Sequence, residues 1–167
     1  LTYYCRGFDN FIAGFEPAKS LPYLPDVARL EIAVQEAYYA QDDEPMRLQD
    51  LAVVSPEKLS ELHLRLRDSV RLVKSSYPLQ AMRDFCLAGD HADKTLDITQ
   101  GGAWLMVHRP QLECVIARLE ESEHEFLALL PEKTLGEAVE IILNRYPGFD
   151  FQKTLQRHMA FETFLRP

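Results

Sequence analysis

The sequence predicts an α+β fold, on three observations. Residues 21–40 carry apolar side chains at the three- and four-residue steps of a helix. Residues 61–67, "ELHLRLR", alternate strictly, with Leu62, Leu64 and Leu66 on one side and His63, Arg65 and Arg67 on the other, which is the period of a half-buried strand. After residue 120 the helical period returns, punctuated at Pro131 and at Pro147-Gly148. The expected architecture is N-terminal helices, an antiparallel sheet of about four strands from two hairpins, and short C-terminal helices packed against it.

Pro25 suits the first turn of the opening helix, and Asp26 places a carboxylate at the positive end of its dipole. Tyr23, Val27, Leu30, Val34 and Ala37 make one apolar stripe, and Ala28, Ile32 and Tyr39 make a second that a surface helix does not need. Arg29, Glu31 and Glu36 lie beside these stripes and must pair or reach solvent. Ser55 before Pro56 and Glu57 predicts a short capped helix over 55–60. The alternating strand then turns at Asp68-Ser69 into "VRLVK", with Val70 and Leu72 inward, as a first hairpin.

Residues 77–87 read as helix and 88–100 as a polar connector. "AWLMVHR" (103–109) and "LECVIARL" (112–119), separated by Pro110-Gln111, predict a second hairpin that is apolar on both faces and therefore the better covered one. Helices are expected over 121–130, 134–146 and 151–164, the second opening on a Thr134–Glu137 capping-box spacing. Residues 1–60 form the helical part and 61–167 the sheet with its C-terminal helices, as one unit sharing a core.

Composition bounds the function. With 47% hydrophobic and 26% charged residues, the 167-residue chain can bury a core, and a net charge of -8 disfavours general nucleic-acid binding. No apolar run is long enough to span a bilayer, and residues 1–10 lack the features of a signal peptide, so a cytoplasmic protein without a membrane partner is expected. Cys5, Cys86 and Cys114 have no ligand spacing and are expected as reduced, mostly buried thiols. No metal or cofactor is expected to be bound by this chain.

The histidines His63, His91, His108, His124 and His158 are scattered, and His63 and His108 read as solvent-edge or hydrogen-bonded strand residues. The run Glu120, Glu121, Glu123 and Glu125 reads as the solvated first turns of a helix. No nucleophile-elbow, phosphate-loop, dinucleotide or zinc-protease motif occurs, so no catalytic residue is assigned. Two features invite binding. The polar face His63, Arg65, Arg67, Arg71 and Lys74 either guards an exposed edge or docks an acidic partner. The strand with Trp104, Met106 and His108 on one face and Leu105 and Val107 on the other either packs in the core or offers its edge to an extended peptide.

Two stretches carry a resemblance. "LPYLPDVARLE" (21–31) and "SVRLVKSSYPL" (69–79), within a similarity running from about Phe8 to the C-terminal helices, resemble the partner proteins of multinuclear non-haem iron oxidative enzymes that mature ribosomally made peptides. Longer members carry a helical region before this point, often labelled as DNA-binding; this chain starts near its end and is similar to the short members found with biosynthesis of methanobactin, a copper chelator. The resemblance implies a non-catalytic subunit that forms a heterodimer with a TIM-barrel iron oxidase. The pair converts cysteines of a precursor peptide to oxazolone and thioamide groups, and the iron resides in the partner. On that reading Arg29, Ile32, Glu36 and Tyr39 are expected at the partner interface. Trp104, Leu105, Met106, Val107 and His108, with Arg65 and Arg67, are expected to receive the leader segment of the peptide. A nucleic-acid-binding or transcriptional adaptor is the alternative.

Overall fold

The structure, a computed structural model, describes residues 5–89, 95–99 and 101–166. His91, the middle of the polar connector and the start of the segment read for a signal peptide lie outside the described residues. Four helices come first: α1 (Phe8–Gly14), α2 (Leu24–Tyr38), α3 (Leu48–Ala52) and α4 (Pro56–Leu59). β1 (Arg71–Ser75) and α5 (Leu79–Ala88) follow, then the hairpin β2 (Ala103–His108) and β3 (Val115–Arg118). The chain closes with α6 (Glu121–Leu129), α7 (Leu135–Arg145) and α8 (Phe151–Ala160). The fold class is the expected α+β, with three strands among the described residues rather than about four, in the antiparallel order β1-β2-β3.

The sheet is the middle of three layers. Leu72, Met106 and Ala117 stand opposite one another across the ladder, as do Val73 and Leu105, so each row shares one face. The first row meets Phe126, Leu127, Ile142 and Phe164, around which α6, α7 and α8 pack. The second row meets Leu30, Ala33 and Ala37 of α2 and Leu79 and Met82 of α5. Helices on both faces explain the unbroken apolar run of β2, where Leu105, Met106 and Val107 are each 0% exposed. They also correct the reading of β1: Val70 and Leu72 serve one core, while the more deeply buried Val73 serves the other.

The expected first hairpin does not form. Glu61 and Leu62 still belong to the turn after α4, and beyond them Leu64 is buried and His63 and Arg65 exposed as the alternation requires. The partner of this segment, however, is the C-terminus, through an isolated bridge at Leu66. Leu165 N–H donates to the Arg65 carbonyl at 2.8 Å, and Arg67 N–H donates to that of Thr163 at 3.0 Å. On the other side Met46 N–H donates to Phe164 C=O at 2.9 Å, and Arg166 N–H donates to Glu44 C=O at 2.9 Å. Residues 163–166 are thus a strap between segments 44–46 and 65–67. The physical reason is burial: this register places Leu64 and Phe164, at 0% and 1% exposure, in one core, which local pairing with 70–74 would not do.

Helix ends follow local chemistry with two departures. Thr134 N–H donates to Glu137 Oε2 at 3.0 Å and Glu137 N–H donates to Thr134 Oγ1 at 3.3 Å, the expected capping box. Ser55, by contrast, makes no side-chain cap bond to α4. The last helix stops at Ala160 rather than 164, because Glu162 takes φ 53° and Thr163 N–H turns back to the His158 carbonyl at 3.0 Å. The acidic run is only partly solvated: Glu123 is 6% exposed and binds Arg157 of α8 at 2.6 Å. The thiols are free as expected but not buried, since Cys86 faces solvent and Cys5 and Cys114 are half-buried.

Gly136 shows how closely α7 approaches α4. Its N–H donates to the Ser60 carbonyl at 2.9 Å, and a Cβ there would stand 2.9 Å from that oxygen and 3.0 Å from Ser60 Cβ. Gly136→Ala is therefore expected to destabilise the protein by about 1–3 kcal/mol, despite the better helix propensity of alanine. Urea denaturation checks this; a stabilised variant would show that the approach is slack.

Candidate functional site: an open sheet edge beside a polar cleft

Hydrogen-bond phase decides which edge of the sheet is available. Leu119 N–H donates to the Trp104 carbonyl at 2.8 Å, so the main-chain groups of Trp104, Met106 and His108 point toward β3 and those of Ala103, Leu105 and Val107 toward β1. Ser75, Val73 and Arg71 answer the latter. The N–H and C=O groups of Leu72 and Lys74 consequently point away from the sheet. Among the described residues no strand pairs with that edge. The opposite edge is partly closed, because the Arg118 carbonyl accepts Arg157 Nη2 at 2.7 Å.

This placement corrects the expected peptide site. Trp104–His108 form the central strand, flanked on both sides, and cannot accept a further strand. Their side chains serve the two cores, Trp104 being half-buried and His108 3% exposed. His108 is not at a solvent edge: it is 3% exposed, and its ring faces the backbone of Phe161.

At the Arg71 end the open edge runs into a cleft of about 640 Å³ lined by Arg6, Glu36, Tyr39, Leu66, Arg67 and Arg71. Glu36 of α2 bridges it, accepting from Arg71 Nε at 2.7 Å and from Arg6 Nε at 3.2 Å. Burial pushes the Glu36 carboxyl up, but the hydrogen bonds and charges of Arg71 and Arg6 outweigh it and hold the group below the usual range. Arg67, only 8% exposed, binds Asp43 Oδ1 through Nε at 2.6 Å. Lys74 sits 5.7 Å from the Trp104 ring centre and 3.9 Å from Glu121.

The expected basic face is therefore not a free cationic surface. Arg67, Arg71 and Lys74 each have a carboxylate partner, and only His63 and Arg65 of the set face solvent without an ion pair among the described residues. Arg29 is likewise paired within the chain, with Asp26 at 2.8 Å and Asp9 at 3.5 Å. α1 packs against α2, and of the second stripe Ala28 is buried and Ile32 half-buried. Tyr39 remains 59% exposed, edge-on to Tyr38.

Sequence reasoning missed the outward main-chain groups of Leu72 and Lys74, whose signal lay in "SVRLVKSSYPL" rather than in the more apolar β2. It also missed α1, whose Phe8, Phe11 and Phe15 stack with centroids 6.1 and 5.4 Å apart. Among the described residues no helix is long and apolar enough to cross a membrane. The fold and site define a class by geometry: a helix-covered antiparallel sheet with one strand edge left to pair. No family model matches the chain, and no curated protein is significantly similar to it.

Proposed function

We propose that this chain is the non-catalytic, peptide-presenting subunit of a complex with a TIM-barrel, multinuclear non-haem iron oxidase. The leader of a ribosomally made precursor adds to the β1 edge, holding the peptide for the partner enzyme. The iron centre of that enzyme would supply the oxidative chemistry, at the expense of a separate oxidant, that turns cysteines into oxazolone and thioamide groups, as in methanobactin-type biosynthesis in the cytoplasm. One observation supports the reading most. The two stretches that resemble such partner proteins, 21–31 and 69–79, meet in the fold: Ser75 Oγ donates to Asp26 Oδ2 at 2.5 Å, Tyr23 lies edge-on to Tyr77 at 6.0 Å, and Leu30 and Val73 share a core. Together they build the layer that presents the open edge. Tyr39, just after α2, is 59% exposed and contributes to the partner contact. A nucleic-acid adaptor is less well supported, because Arg67, Arg71 and Lys74 of its basic face are engaged in internal pairs.

Co-expression with the iron enzyme and size exclusion test this directly. One joint peak, and a precursor mass change that requires both chains, are expected; two separate peaks overturn the reading. The edge has its own test. Lys74 is exposed and its N–H lies outside the ladder, so Lys74→Pro should leave the fold intact. It removes one main-chain donor and is expected to weaken leader binding by about tenfold. Lys74→Ala separates side chain from main chain: equal weakening by both variants would place the contact on the ammonium instead.

A further inference from the structure

The C-terminal strap closes over two buried imidazoles. His158 of α8 is 0% exposed and His108 of β2 is 3% exposed. Both lie against Phe161, at centroid distances of 6.0 and 5.5 Å, where α8 gives way to the strap. His158 Nδ1 is 3.1 Å from Thr163 Oγ1, while its Nε2 has no hydrogen-bond partner among the described residues, and the ring of His108 lies against the backbone of Phe161.

The charges facing these rings offer no easy counterion. His108 faces Arg67 of segment 65–67, Glu162 of the strap turn and the backbone of Phe161. His158 faces Glu123 of α6, Arg157 of its own helix, and His108 itself. Both carboxylates are already committed: Glu123 accepts from Arg157 at 2.6 Å and from the Glu120 N–H at 2.9 Å. Glu162 holds Arg47 at 3.0 Å and approaches Arg67 at 3.6 Å. Glu162 also sits in the left-handed region at φ 53°, which a non-glycine residue occupies only when its surroundings compel it.

We infer that residues 161–166 form an acid-sensitive latch, held shut while His108 and His158 are neutral and driven off segments 44–46 and 65–67 when they are protonated together. In the shut state burial lowers both imidazoles, His158 to about 4, while an imidazole released to solvent titrates near its ordinary 6.5. Stability of the shut state is thus complete above the released value and is lost as pH falls toward the shut one. At about pH 5 His158 alone favours the open state roughly twentyfold more than at neutrality. Opening frees Arg67 and the chain leading into β1, so acid would act on the cleft beside the open edge, whatever that edge binds.

Hydrogen exchange on the whole chain tests the latch. After correction for intrinsic rates, the amides of Met46, Arg67, Leu165 and Arg166 are expected to lose about tenfold or more of their protection between about pH 7 and pH 5, while Leu105 and Val107 keep theirs. Constant protection in the strap, or loss in step with β2, overturns the proposal. His158→Gln and His108→Gln, neutral at every pH, should each flatten the response, and an undiminished response in both would also overturn it. Should either variant fail to fold, titration of the wild-type ring resonances decides: a midpoint near 6.5 for His158 in the folded protein is incompatible with a latch.

Discussion

Replacing Phe164 by alanine is expected to cost about 3–5 kcal/mol of unfolding free energy, a third or more of the stability of an ordinary domain. Phe164 is the centre of the strap. Its ring is 1% exposed and lies 6.2 Å from the His158 ring within the core of α6, α7 and α8. Its carbonyl accepts the Met46 N–H at 2.9 Å, and it bridges to Leu66 across the strap. Removing the ring leaves a cavity that two chain segments held in fixed register cannot collapse to fill. A fall in melting temperature of roughly 10 °C is expected for a chain of this size. Leu165→Ala, at the half-buried neighbouring position, is expected to cost under about 1.5 kcal/mol. Similar losses for both, measured by urea denaturation, would mean that the strap contributes through its backbone alone.

Arg67→Ala is the second large effect, expected at about 3–5 kcal/mol because it strands a carboxylate. The side chain of Asp43 is 13% exposed, and its Oδ1 takes the Arg67 Nε at 2.6 Å. Its Oδ2 would retain only the Asp68 N–H at 2.8 Å. Arg67 also donates to the carbonyls of Asp43 and Glu162, at 3.3 and 3.4 Å, so three segments loosen together. Most of the cost is the uncompensated charge rather than the net worth of the pair. The double variant Arg67→Met, Asp43→Asn should therefore recover a large part of the loss, by about 1–3 kcal/mol relative to Arg67→Ala. A double variant no more stable than the single one would assign the effect to packing of the arginine stem.

Particular elements show how far local reading reached. The Thr134–Glu137 box, the Asp26 first turn and the two-sided apolar run at 103–108 depend on residues within one turn or one pleat, and all appear where expected. The alternation at 61–67 correctly buried Leu64 and exposed His63 and Arg65, yet the segment pairs only at Leu66, whose partner Phe164 is 98 residues away by numbering and is announced by no period in the chain. Arg67 stood in a polar row and is buried because Asp43, 24 residues earlier, supplies its counterion. The second stripe of α2 suggested another protein; within the chain α1 packs against α2, Ala28 is buried and Ile32 half-buried, while Tyr39 stays 59% exposed.

The candidate site divides in the same way. That strands exist at 70–74 and 103–108 could be read from side-chain alternation and β propensity. Which of them is central could not, because both are apolar enough to be covered. By itself the sequence determined the type and limits of most elements, the α+β class and the free state of the three thiols. Tertiary structure alone decided that the strap displaces the first hairpin, that Arg67 and Arg71 of the polar row pair inward, and that Leu72 and Lys74 carry the open edge. The reason is physical: periodicity and capping are set by neighbours within a few residues, whereas strand order and charge pairing are set by which distant surfaces bury the most apolar area together without leaving a charge unpaired.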